Sequence, residues 1–297
     1  METNLTSILS GFGVSDPSSI KQIYRSAWDI DDEYVLKTNK DKNQLEKSIF
    51  ISRLLLSEEI PVIEYIDTAE GKPYVHSDEK YWCLMKKLKG DCFDPYKADP
   101  YDNGLILGKA LARLHKALKN IQDKIESSDV DFSHEFSSWI VPEIKKNGVS
   151  FKDGVMDSIY AFFSREYKSL PRQLIHRDMH TSNMIFKDGE FSYLDFDMSQ
   201  RNVRIFDIAY LGCSQLIDNY KDEVRLKQWH EIFRGILQGY NQLLPLSEDE
   251  LKAVPVLFVF IEVLFTAFFL KIGQPETAES CLKMTNWLFD NMSSLIC

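Results

Sequence analysis

The chain has 297 residues, 44% hydrophobic and 27% charged, with only 13 glycines and 10 prolines; this can bury a sizeable core in one large domain or two smaller ones and excludes long disordered stretches. A formal net charge of −10 excludes the basic face that nucleic acids require, and is compatible with a cationic substrate or with simple solubility. The five cysteines (Cys83, Cys92, Cys213, Cys281 and Cys297) include no CxxC pair, and the N-terminal METNLTSILSGF lacks the basic and apolar regions of a signal peptide, which excludes a disulfide framework and fits a reducing cytoplasm.

Residues 18–30 and 33–39 are β-compatible runs separated by the acidic turn Asp31-Asp32, which predicts a hairpin. The segment 43–59 places Leu45, Ile49, Ile51, Leu55 and Leu56 as an amphipathic helix would. Pro61 opens another apolar run, Glu70-Gly71-Lys72-Pro73 is a turn, and 81–88 is a further strand. These elements predict an α+β unit over 1–88. Residues 90–101, polar and rich in Asp and Pro, read as a linker. Beyond it, Leu107, Leu111, Leu114 and Leu118 recur at helical spacing, and further helices are expected near 134–146, 153–169, 205–219, 223–244, 249–271 and 276–295. The apolar run 253–270 is long enough to raise a membrane question. Pro255 near its start, Glu262 at its centre and the lack of a second such span favour a buried helix.

Only 173–197 interrupts the helical pattern, with strand-like pieces at 173–176, 183–186 and 191–196. Asp178 lies in a polar loop between two apolar strands, Asn183 where the chain re-enters a strand, and Asp195 at the end of the next one. The strand pair is expected to bring both loops together, so that two carboxylates and an amide oxygen meet at one edge. Hard oxygen ligands of this kind suit Mg²⁺, and a further carboxylate is then free to orient a hydroxyl nucleophile. Phosphoryl transfer requires these parts.

The run H-x-D-x-H-x-x-N at 176–183, D-F-D at 195–197 and D-I-A at 207–209 together resemble the aminoglycoside phosphotransferase and choline kinase branch of the protein-kinase-like superfamily. The resemblance implies a bilobal α+β fold, with a strand-rich nucleotide-binding lobe over 1–88 and a mainly helical catalytic and substrate-binding lobe over 89–297. It implies ATP, with GTP as the alternative donor, and Mg²⁺, both held between the lobes. Asp178 would be the catalytic base or hydroxyl-orienting residue, with Asn183 and Asp195 as metal ligands. Lys37 would contact the α- and β-phosphates, with Glu46 as its ion-pair partner. The segment 83–87, including Met85 and Lys87, would be the hinge whose backbone binds adenine.

The sequence also departs from that pattern. Arg25-Ser26-Ala27 stands where a glycine-rich loop would run, placing Ser26 beside the phosphates, and Asp197 replaces the triplet glycine. Only eleven residues separate Asp195 from Asp207 and no A-P-E motif follows, so the acceptor is expected to be a small-molecule hydroxyl compound, aminoglycoside-like or an amino alcohol. The rival readings are a non-catalytic nucleotide-binding pseudokinase and a protein kinase.

Other residues have plainer readings. His176 and His180 support the loop, and Asp207, at a helix N-terminus, caps or tethers it. Arg201 and Arg204 read as a solvated turn, and His115 and the C-terminal phenylalanines as core. Asp197 fits an outer metal ligand, a substrate contact or a surface charge. Glu262, on so apolar a helix, needs a partner and is a candidate for gripping a cationic substrate group.

Overall fold

The computed structural model describes residues 5–126, 131–217 and 219–296; residues 1–4 of the leader reading and Cys297 lie outside the described residues. In chain order the elements begin with α1 (Leu5–Gly11), β1 (Ile20–Tyr24), β2 (Ala27–Ile30), β3 (Tyr34–Asn39) and α2 (Lys42–Ser57). They continue with β4 (Tyr65–Ile66), β5 (Val75–Ser77), β6 (Lys80–Lys86), β7 (Asp91–Cys92), α3 (Pro100–Ile121), α4 (Phe132–Glu135), α5 (Val141–Lys146) and α6 (Val155–Arg165). Next come β8 (Arg172–Ile175), β9 (Met184–Lys187), β10 (Glu190–Tyr193) and β11 (Gln200–Val203), then α7 (Ile205–Leu216), α8 (Glu223–Leu243), α9 (Glu248–Lys271) and α10 (Pro275–Asn291). Contacts group Met1–Phe93 with Ser182–Ser199 in one unit, and Asp94–Thr181 with Gln200–Cys297 in the other.

The first unit is built on an antiparallel sheet in the order β1-β2-β3-β6-β4, with β5 also paired to β6. The expected hairpin forms between β2 and β3, where Asp31 and Asp32 take left-handed φ values of 54° and 59°, a conformation short acidic side chains tolerate. The run 18–30 is not one strand. It folds back at Arg25-Ser26, which brings Tyr24 opposite Ala27, and neither turn residue carries a Gly or Asn signature that would have marked it. The linker 90–101 contributes β7, and α3 begins within it.

α2 is capped by Asp41, whose side chain accepts from the Gln44 N–H at 3.0 Å. It buries Leu45, Ser48, Ile49, Ser52 and Leu55, and Leu45 and Ile49 pack with Cys83 and Met85 of β6. α1, not anticipated from the sequence, buries Ile8 and Leu9 against Ile30, Leu36 and Trp82 on the sheet. A second sheet, β10-β9-β7, is fastened by Phe93, Phe186 and Phe191, with ring centroids 4.8 to 5.2 Å apart.

The second unit is helical, with the pair β8–β11 as its only sheet among the described residues. α3 and α8 meet main chain to main chain. Gly104 and Gly108 face α8, and Gly235 and Gly239 face α3; a Cβ at these four positions would lie 2.1 to 2.3 Å from a carbonyl oxygen of the opposite helix. α9 starts in a capping box between Ser247 and Glu250 and has two-thirds of its apolar window buried, as a core helix does. The buried Glu250 also accepts from the Arg204 guanidinium at 2.7 and 2.9 Å. Arg204 is therefore a buried ion-pair residue and not part of a solvated turn.

Glu262 does not face a substrate surface. Its side chain is buried among helices and accepts from the Cys213 thiol at 3.4 Å. Burial pushes its pKa up to about 7, against the opposing effect of the Cys213 and Cys281 thiols. The folded value exceeds the unfolded one, so its contribution to stability is fully present below about 4.5 and is lost as pH rises through about 7.

Two predictions follow from this packing. Gly108→Ala, which in an ordinary helix gains about 1 kcal/mol, will instead destabilise by about 1–3 kcal/mol through overpacking and lower the midpoint in thermal unfolding. Glu262→Gln will be increasingly stabilised relative to wild type from pH 4.5 to 7 and level off above, by up to about 3 kcal/mol in denaturant titrations.

Candidate active site

In the first unit the site is organised by the β9–β10 hairpin. Asp188 and Gly189, with φ of 51° and 88°, form its two-residue turn. At the open end the Leu194 N–H donates to the Asn183 carbonyl at 3.2 Å, so Asn183 and Asp195 emerge together. Asp195 has left-handed dihedrals, φ 67° and ψ 61°, which for a residue with a Cβ must be held by surrounding structure. The next residue, Phe196, is fully buried.

Lys37 reaches this segment from β3. Its Nζ donates to Asp195 Oδ1 at 2.9 Å and to Asp197 Oδ2 at 3.2 Å. Asn39, two residues along the same strand and hence on the same face, donates from Nδ2 to Asp197 Oδ2 at 3.3 Å. Burial would lower the Lys37 pKa, but Asp197 and then Asp195 raise it well above the ordinary range. Burial holds Asp197 above the usual carboxylate range; Lys37 opposes this and Asp195 reinforces it. One ammonium thus faces two carboxylates, and the cluster keeps an excess of negative charge.

The other expected nucleotide residues have protein partners of their own. Glu46 does not meet Lys37: it accepts from the Tyr74 hydroxyl at 2.8 Å and lies 3.5 Å from Lys42. The cause is helical phase. The face of α2 carrying Leu45, Ser48, Ile49 and Ser52 is buried, and Glu46 stands about 200° around the axis from Ser48. Met85 lies within β6, with Val35 and Tyr65 as its register partners. The Lys87 N–H donates to the Glu33 carbonyl at 2.8 Å and its ammonium pairs with Asp29 at 2.5 Å and with Asp32. In the alternating antiparallel ladder this puts Met85 in the pairs that exchange hydrogen bonds with β3, so the backbone of Met85 and the Lys87 N–H are committed to β3 and the turn before it. Ser26 sits at the β1–β2 turn, where its carbonyl accepts from the Thr38 N–H at 2.9 Å.

In the second unit Asp178 follows β8, which pairs with β11 and not with β9. β9 instead takes β10 and β7 as its neighbours. The loop is held from beneath by Asp207 on α7. Asp207 accepts from the His176 and Arg177 N–H groups, both at 2.8 Å, and from His115 Nε2 at 3.0 Å, and it is fully buried. His115 in turn meets the Tyr240 hydroxyl through Nδ1 at 2.8 Å. An imidazole that donates from Nε2 and accepts at Nδ1 satisfies all these groups. Asp207 thus tethers the loop, as its position at the helix start suggested. His115 proves to be its partner; helical periodicity could show only that this histidine faces inward.

Arg177, left-handed at φ 70°, anchors the loop through its side chain as well, donating to Glu135 at 2.6 Å and Gln200 at 3.2 Å. Asp178 is left partly exposed, with Oδ1 accepting from the Tyr210 hydroxyl at 2.9 Å and Oδ2 lying 3.7 Å from His180 Nε2. Burial alone would raise its pKa, but His180, then Tyr210 and His176, lower it to about 2. Tyr210 was not singled out from the sequence. Its signal is its place one turn after Asp207, on the same face of α7.

Asn183 and Asp195 offer an amide and a carboxylate oxygen. Among the described residues no cluster of three or more His, Cys, Asp or Glu could hold a metal ion, so a metal here would rest on few protein ligands. That suits Mg²⁺, which keeps most of its waters, and the negative excess around Lys37 favours a cation.

Several known proteins are similar to this chain in sequence or in fold. A homoserine kinase of Zymomonas mobilis subsp. mobilis is 24% identical over 241 residues, covering 75% of this chain and 69% of that protein. A homoserine kinase of Phenylobacterium zucineum is 27% identical over 158 residues, covering 50% of this chain and 46% of its own, so the match spans about half the length of that relative. Among solved structures, a microcompartment-associated aminopropanol kinase superposes with a TM-score of 0.73 at 15% identity, covering 99% of this chain and 98% of the other. Amicoumacin kinase hAmiN, in complex with AMP-PNP, Ca²⁺ and Ami, gives 0.69 at 15% identity, covering 91% and 89%. These likenesses establish a kinase-like fold. Residues 18–246 match the phosphotransferase enzyme family, and the chain belongs to that family.

Proposed function

We propose that the protein is an ATP-dependent small-molecule kinase that transfers the γ-phosphoryl group to the hydroxyl of an amino alcohol or a similar small substrate. The observation that carries this reading is Asp178: a partly exposed carboxylate, kept ionised by His180 and Tyr210, on a loop whose backbone is fastened to a buried aspartate. A group so placed is suited to orient an acceptor hydroxyl. The acceptor class is supported by the relatives, since homoserine kinases and an aminopropanol kinase are named for substrates that carry both an amine and a hydroxyl. A nucleotide and a divalent ion are supported by the complex of the amicoumacin kinase with AMP-PNP and Ca²⁺.

On this reading Asn183 and Asp195 would hold Mg²⁺, which when bound supplies neutralising charge at the phosphates. Lys37, kept cationic by two carboxylates, would add a positive charge there. Asp178 would accept a hydrogen bond of roughly 2.6–3.2 Å from the acceptor hydroxyl. With its pKa near 2 it would serve chiefly to aim the nucleophile, taking the proton late, as a loose transition state permits. A small acceptor is further supported by the structure after Asp195: β11 and α7 occupy residues 200–216, which leaves no length for a protein-substrate loop.

Asp178→Asn will retain Mg-AMP-PNP affinity within about threefold while turnover falls by roughly three orders of magnitude or more. The check is a coupled phosphotransfer assay over homoserine, aminopropanol, choline, aminoglycosides and sugars, alongside calorimetric nucleotide binding. Unchanged turnover in the variant would remove Asp178 from the mechanism. Nucleotide binding without turnover on any acceptor would favour the non-catalytic reading.

A further inference from the structure

We infer that Asp197, and not a glutamate on α2, is the positioning partner of Lys37, and that this pair sets nucleotide affinity. The inference rests on the reading of Lys37 as a phosphate-contacting residue.

Three observations support it. First, the Asp197 carboxylate gathers two donors from β3, Lys37 at 3.2 Å and Asn39 at 3.3 Å. It is only 14% exposed, so these contacts replace its water and fix its orientation. A surface charge without a role would not be so enclosed.

Second, the helix carboxylate is engaged elsewhere. Glu46 is 43% exposed and taken by Tyr74 and Lys42. The other acidic residues of the α2 region, Glu58 and Glu59, lie beyond the helix end at Ser57. α2 approaches the D-F-D segment through the buried Ser48 and through Lys47, whose ammonium donates to the Ser199 carbonyl at 2.7 Å. The helix therefore does not supply the lysine's partner, and the Ser48 hydroxyl meets the Tyr65 hydroxyl at 3.3 Å.

Third, Lys37 and Asn39 lie on one face of β3, and Asp197 bridges them. The lysine is thereby held against its own strand, with its reach fixed by Asn39. Asp195 also touches Lys37 at 2.9 Å, but in the proposed reaction that carboxylate serves a metal ion. Asp197 is the anion that remains to Lys37 alone. A glycine at position 197 would leave the lysine without it.

The test is Mg-AMP-PNP binding by calorimetry, with thermal unfolding as a control, on Asp197→Asn, Glu46→Gln, Lys37→Met and the two double variants with Lys37→Met. Asp197→Asn is expected to weaken AMP-PNP about tenfold, as loss of one partner of an enclosed charged pair does, with an unchanged acceptor KM. Glu46→Gln is expected to stay within twofold. In the Lys37→Met background Asp197→Asn should cost nothing more, because the two act as one pair. Should Asp197→Asn fail to fold, Asn39→Ala, which keeps the charge but frees its orientation, is expected to weaken binding by about threefold. Unchanged or tighter binding in Asp197→Asn, an equal loss in Glu46→Gln, or full additivity with Lys37→Met would overturn the inference. Lys37→Met binding AMP-PNP as wild type would instead sink the reading of Lys37 itself.

Discussion

A single buried carboxylate underlies the arrangement of the loop that carries Asp178. Asp207 has no exposure to water, and an isolated charge there would cost several kcal/mol. It persists because His115 and the N–H groups of His176 and Arg177 all point at it. The dependence is mutual. Two consecutive amides directed at one carboxylate leave the chain little freedom, and the left-handed turn at Arg177 follows from that restriction. Asp178, next in the chain, receives its direction from this geometry.

The carboxylates of the protein illustrate how environment divides one functional group into several. Asp178 has a donor at each oxygen and stays ionised far into acid. Asp197 is held above its ordinary value by burial, which the one ammonium it shares with Asp195 does not outweigh. Glu262 has thiols for company and is neutral through most of the acid range. Burial acts in the same direction on all three, and the number and charge of the partners decide the outcome.

The sequence exposed the chemistry of the candidate site more readily than its geometry. The spacing from His176 to Asp207 and the β2–β3 hairpin could be read because each rests on local signals: turn residues, alternation, and polar residues set between apolar runs. The pairing of β8 with β11 could not, since a four-residue apolar strand fits many partners equally well. Nor could the return of Ser182–Ser199 to the N-terminal unit, a long-range grouping that no single cut in the chain expresses. Glu46 misled for a definable reason. Its distance from Lys37 along the chain was right for a partner, but the angle at which α2 lies is set by Leu45 and Ile49 meeting the sheet. His115 and Tyr210 looked like ordinary inward-facing helix residues, and their polar ends acquire meaning only once Asp207 and Asp178 are placed in space.

The close approach of α3 and α8 has a consequence for how this unit can vary. Where helices meet through side chains, a change on one surface can be absorbed by a rotamer change or a compensating substitution on the other. Between Gly104, Gly108, Gly235 and Gly239 no side chains stand in the gap, so there is nothing to adjust. At these four positions the axial rotation and height of α3 relative to α8 are limited by main-chain atoms. His115 lies farther along α3 and Tyr240 follows Gly239 on α8, so their meeting over Asp207 inherits that fixed register. The alignment of the loop beneath Asp178 is therefore insulated from sequence drift on most of the surface of both helices, and exposed to it at four positions where even a methyl group is too large.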